Sequence, residues 1–167
     1  MTPCRSWIHR FKYGIRSRCP AATVELPTTV VVHGPFGDVV RYNDGSWYLS
    51  WYPACMRHVS TDLAPPNWNL PPDAALLKSI LEGTLSGFAD IMPPFRNLTS
   101  EQLNEPTLKG GSITAWGKTD ISDPTSELHS RYDIGVHSED GYHSIDTGKF
   151  TMAPLFARMC ADRILSC

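Results

Sequence analysis

Thr147, Gly148, Lys149, Phe150 and Thr151 form the stretch of this 167-residue chain best suited to chemistry. They join a short strand, Tyr142 to Ile145, to a helix whose apolar positions (Met152, Leu155, Phe156, Met159, Cys160, Ile164) recur at helical spacing. Gly148 lets the backbone turn sharply or take a positive φ. Thr151 is a suitable N-cap, and Pro154 is tolerated in the first turn behind it. A helix start of this kind presents free N–H groups and positive potential, which suits phosphates, carboxylates or the electron-rich edge of a cofactor. The same pattern also describes an ordinary strand–turn–helix unit that binds nothing.

A second group is Arg41, Tyr42, Tyr52 and Arg131. A guanidinium fork grips a carboxylate with two hydrogen bonds, and tyrosine adds a hydroxyl on a rigid ring. Each of the four also suits a surface or structural role. The six histidines show no HxH or HExxH spacing, which argues against a metal site. His137 and His143 are expected to become neighbours across a hairpin, but two ligands do not make a site. There is no GxSxG elbow for a serine nucleophile, and Cys160 lies on the apolar stripe of its helix, where it reads as core. No catalytic acid, base or nucleophile is assigned.

These residues need elements to hold them. The basic segment up to Arg18 alternates with Trp7, Ile8, Phe11, Tyr13 and Ile15 and reads as a strand. A transit peptide or a nucleic-acid patch is the weaker alternative. Val30 to Val32 reads as a buried strand. Asp38 to Tyr42 and Ser46 to Tyr52 form a hairpin through Asn43-Asp44-Gly45, with Trp47, Leu49 and Trp51 on one face and Tyr48, Ser50 and Tyr52 on the other. The tyrosine face lines a pocket or forms half-exposed sheet. Cys55 to Pro72 reads as irregular. Asp73 caps a helix whose buried face is Leu77, Ile80, Leu81, Thr84, Leu85 and Phe88, ending before Pro93-Pro94. Thr99 to Gln102 has capping-box spacing. Lys109 to Trp116 and Arg131 to His137 read as strands, separated by a polar loop. The expected fold is α+β: a mixed, mostly antiparallel sheet with a mid-chain helix and a C-terminal helix.

Two blocks resemble one known family. Asp146-Thr-Gly-Lys-Phe-Thr-Met-Ala-Pro154 followed by an apolar helix is similar to the C-terminal flavin-contacting segment of FAD-dependent oxidoreductases of the D-amino-acid oxidase family, with its glycine oxidase and sarcosine oxidase relatives. His33-Gly-Pro-Phe-Gly-Asp-Val-Val-Arg-Tyr42 with Tyr48-Leu-Ser-Trp-Tyr-Pro53 resembles the sheet that roofs the flavin in the same family. The resemblance implies a substrate-domain-like sheet over residues 1–137 and an FAD-domain-like strand–turn–helix over 138–167. It implies FAD as cofactor, contacted by residues 147–151. It also implies an amine or amino-acid substrate, contacted by Arg41, Tyr42, Tyr52 and Arg131, that passes a hydride from its α-carbon to flavin N5. The sequence departs from the family in two ways. Lys149 follows the glycine where histidine is common. The GxGxxG unit that holds the FAD pyrophosphate is missing. The chain therefore reads as a fragment, a truncated product or one piece of a split protein. It is expected to be inactive alone, with a missing N-terminal nucleotide-binding half as its partner. A non-catalytic remnant or interaction module of the same fold is the alternative.

Composition sets outer bounds. A net charge of −2 gives no field to recruit nucleic acid or an anionic membrane. No apolar run approaches the roughly 18 residues that a membrane-spanning helix needs. Five cysteines without CxxC spacing fit free thiols in a reducing compartment, and the expected location is the cytoplasm.

Overall fold

The computed structural model describes residues 6–18, 26–68, 70–129 and 134–166. Strand β1 (Trp7–Arg18) is the centre of the main sheet. Its odd positions, including Phe11, Tyr13 and Ile15, enter the core. Its even positions Arg10, Lys12, Gly14 and Arg16 fall on the opposite face, as strand alternation requires. The basic N-terminal segment is thus a strand of the fold.

One edge of β1 pairs along its length with β6 (Asn104–Trp116), from Trp7↔Trp116 to Arg18↔Asn104. The other edge is shared. β4 (Ser46–Trp51) takes residues 15–18, and β5 (Met56–Ser60) takes residues 9–12. Between these two strands the chain makes a single helical turn, α1 (Tyr52–Cys55), with Pro53 at its start. Proline can begin a helix but cannot donate to a ladder, so the turn forms where a continuous strand would lose a bond. β3 (Gly37–Arg41) pairs with β4, and β2 (Thr29–Val31) pairs with β3 at the edge. All pairings among the described residues are antiparallel.

α2 (Ala74–Ile91) covers the core face of the sheet. Its N-cap is Asp73, whose Oδ1 accepts a 2.7 Å bond from the Leu76 N–H. Ile80, Leu81, Leu85 and Phe88 are buried against the sheet, and Phe88 sits between the rings of Trp51 (5.1 Å) and Phe95 (4.8 Å). Gly87 permits this approach: a Cβ there would stand 2.1 Å from Trp51 Nε1. The capping box at Thr99 forms and opens one 3-10 turn (Ser100–Gln102).

β7 (Gly135–Glu139) and β8 (Tyr142–Asp146) make a separate two-stranded sheet. They are joined by Asp140 and Gly141, both at positive φ, as a two-residue hairpin turn demands. α3 (Ala153–Leu165) packs on this hairpin through Phe156 and Cys160 against Val136. Arg163 Nη1 ties the helix end to the Val136 carbonyl at 2.6 Å.

The fold is α+β with an antiparallel main sheet, and three α-helical segments flank the strands. Several local expectations are corrected. Val30 is 58% exposed because β2 is a three-residue edge strand with one partner, and Val32, 77% exposed, lies beyond the end of that strand. Residues 55–72 are not wholly irregular, since they contain β5. Thr151 does not cap α3: it lies inside a 3-10 turn (Phe150–Met152), and α3 begins at Ala153 behind Met152 with no side-chain cap. His137 and His143 are not neighbours, because the register sets His137 opposite Ser144 and His143 opposite Ser138, on opposite faces. Cys55 and Cys160 are buried free thiols; Cys4, Cys19 and Cys167 lie outside the described residues. Among the described residues no helix is long and apolar enough to cross a membrane.

Candidate functional site

The face of the sheet opposite α2 opens into a groove of about 1380 Å3. That exceeds the roughly 300–1,000 Å3 of ordinary small-molecule sites. Arg10 and Lys12 of β1, two positions apart and so on one face, form its floor with Asp38 of β3 and Tyr52 of α1. Trp7 and Trp116, paired across β1 and β6 with ring centroids 3.9 Å apart, lie along one wall. Thr147, Gly148 and Lys149 line it from the turn after β8.

A polar network crosses the floor. Tyr52 donates its hydroxyl proton to Asp120 Oδ1 at 2.6 Å. Arg10 Nη1 donates to Tyr52 Oη at 3.3 Å and lies 3.5 Å from Asp120 Oδ1. Arg10 is only 7% exposed, and its Nε has no hydrogen-bond partner among the described residues. Lys12 Nζ is 3.4 Å from Asp38 Oδ2 and 5.9 Å from the centre of the Tyr52 ring. Burial, and then the bond to Asp120, push the Tyr52 hydroxyl up to about 12. Burial works to raise the Asp120 carboxyl as well. It is outweighed by bonds from Tyr52, the Ile121 N–H and Ser122 and by the Arg10 charge, so the group titrates below the ordinary value of 3.8. The floor therefore carries two cations, each beside its own carboxylate.

The turn after β8 has the form its sequence suggested. Gly148 takes φ +58°, and its N–H donates to Asp146 Oδ1 at 2.9 Å. The Lys149 N–H closes on the Thr147 carbonyl. Phe150 and Thr151 open the 3-10 turn, where the first N–H groups have no intrahelical acceptor. The side chains of Phe150 (91% exposed) and Thr151 stand outside the groove lining.

Of the residues singled out from sequence, Tyr52, Thr147, Gly148 and Lys149 share the groove. Arg41 and Tyr42 do not line it. Arg41 lies over the Trp47 ring at 6.0 Å, and Tyr42 sits under the Arg16 guanidinium at 5.4 Å, both at the β3–β4 hairpin end. Arg131 lies outside the described residues. Sequence reading passed over Arg10, Lys12 and Asp120. Alternation against Phe11 and Tyr13 marks Arg10 and Lys12 as face partners. Asp120 carries no local signal, because its partners are far away in the chain. Among the described residues no group of three His, Cys, Asp or Glu side chains gathers as for a metal.

The lysine and the wide groove with aromatic walls suit the ring end of a flavin. They do not suit its pyrophosphate, since no glycine-rich cradle follows a strand into a helix along the lining. Comparison with protein families, with curated proteins and with solved structures finds no match to this chain.

Proposed function

We propose that this chain is part of an FAD-dependent oxidoreductase acting on an amine or amino acid, supplying the sheet and the strand–turn–helix that face the flavin ring. The pyrophosphate would be held by a nucleotide-binding half that these residues do not contain. One observation carries the reading. The two sequence blocks that separately resemble the D-amino-acid oxidase family contribute Tyr52 and Thr147–Lys149 to the same groove. A bound flavin would take the hydride from the carbon that bears the amine. The chain's own part is to orient and to tune. Arg10, Lys12 and Tyr52 offer fixed polar contacts to the substrate, and Lys149 sets positive potential at one end of the groove. No side chain of the floor is needed to store the electrons.

A non-catalytic module of the same fold is the second reading, favoured by the lack of a phosphate cradle. Titrating the purified chain with FAD and, separately, with riboflavin distinguishes the two. The oxidoreductase reading expects quenched flavin emission and a shifted absorbance band, with similar affinity for both compounds because only the ring is gripped. It also expects the response to be lost in Gly148→Ala. Absence of any response to either compound would leave the non-catalytic module as the surviving account.

A further inference from the structure

We propose that Asp120 acts from behind the groove as a positioning residue: it accepts the Tyr52 hydroxyl hydrogen bond, and so presents Tyr52 to the groove as a hydrogen-bond acceptor that receives an amine N–H and not a carboxylate. The inference rests on the groove of the preceding reading and deepens it by naming which end of the ligand meets which side chain. It does not require the flavin.

Tyr52 and Arg10 line the groove, whereas Asp120 does not. A tyrosine hydroxyl has one proton. Here it is committed to Asp120 at 2.6 Å, the short separation of a bond to a charged acceptor. What remains on Tyr52 Oη is lone-pair density, one part of it already facing Arg10 Nη1 at 3.3 Å. A carboxylate, which only accepts, would meet an oxygen with no proton to give. An amine N–H would donate to that oxygen. Arg10 does not reverse this preference at Tyr52, since Asp120 lies 3.5 Å from the same nitrogen and balances it. The floor keeps a donor elsewhere, in Lys12 Nζ. An acid group would settle there, away from Tyr52.

The test uses the full chain without flavin and two probes of similar shape, benzylamine and benzoate, with affinities measured by calorimetry. Tyr52→Phe is expected to weaken benzylamine about tenfold, as loss of one hydrogen bond to a charged group implies, and to leave benzoate within about twofold. Asp120→Ala returns the proton to the groove and is expected to lower the ratio of benzylamine to benzoate affinity by about tenfold. The proposal is overturned if Tyr52→Phe weakens benzoate as much as benzylamine, if the ratio stays unchanged in both variants, or if benzylamine does not bind the unmodified chain at millimolar concentration. Near-UV circular dichroism checks folding. If Asp120→Ala fails to fold, Tyr52→Phe decides alone. A negative flavin titration leaves this outcome untouched, and a negative result here leaves the flavin titration standing.

Discussion

Tyr52 owes its proton affinity to its position. Free tyrosine ionises near pH 10 and Tyr52 near 12. Between those values the unfolded chain releases a proton that the folded chain keeps, so stability falls as pH rises through that window. Melting temperatures taken from about pH 9 upward should decline across it, and less steeply in Tyr52→Phe. Asp120 acts at the other end of the scale. Its lowered carboxyl contributes stability above the ordinary carboxylate range, and that contribution is lost as pH falls through its folded value. Gly148 gives a second residue-level prediction. Its φ of +58° and the 2.9 Å from a would-be Cβ to Ile134 Cγ2 make Gly148→Ala strained. The cost should be about 1–2 kcal/mol, seen as faster amide exchange in β7 and β8 with the main sheet unchanged. At this scale the sequence showed what each side chain could do but not which ones meet. Thr147–Lys149 stood out because glycine, lysine and a helix start are adjacent in the chain. The Arg10–Tyr52–Asp120 network joins three separate segments, and only the sheet brings them together.

Elements were legible where one period or one cap dominates. α2 follows from its apolar stripe and Asp73, the β3–β4 hairpin from Asp44-Gly45, and the β7–β8 hairpin from Asp140-Gly141. They failed where pairing, not pattern, decides. β5 has an exposed, unalternating face and is held by its ladder to β1, so its residues look like loop. Val30–Val32 has core composition yet lies at an edge, where a strand has one neighbour and one open side. Thr151 is a good capping residue overtaken by the 3-10 turn Phe150–Met152 in which it lies. The load on α2 can be measured. Phe88 is fully buried between Trp51 and Phe95. Phe88→Ala should cost about 3–5 kcal/mol, read as a lower denaturant midpoint with altered tryptophan emission.

Across the whole molecule, apolar side chains remain in contact with solvent: Val30 and Ile113 on the main sheet, Val32 just past β2, and Phe150, Leu155 and Ile164 around α3. Monomeric proteins seldom leave large apolar areas uncovered. The purified chain should therefore enhance the fluorescence of a hydrophobic dye and elute earlier from a sizing column as its concentration rises. A dye-silent species of constant elution would count against a missing partner half. The hub position of β1 carries a different consequence, for the chain as it is being made. β1 leaves the ribosome well ahead of β6, which completes one of its edges and ends at Trp116. At about 5–20 residues per second, that edge waits roughly 5–20 seconds for its partner. Throughout that interval a row of twelve strand residues exposes unpaired N–H and C=O groups to neighbouring nascent chains. Recovery of soluble chain should then be governed by translation speed and by holding chaperones more than by the stability of the finished sheet.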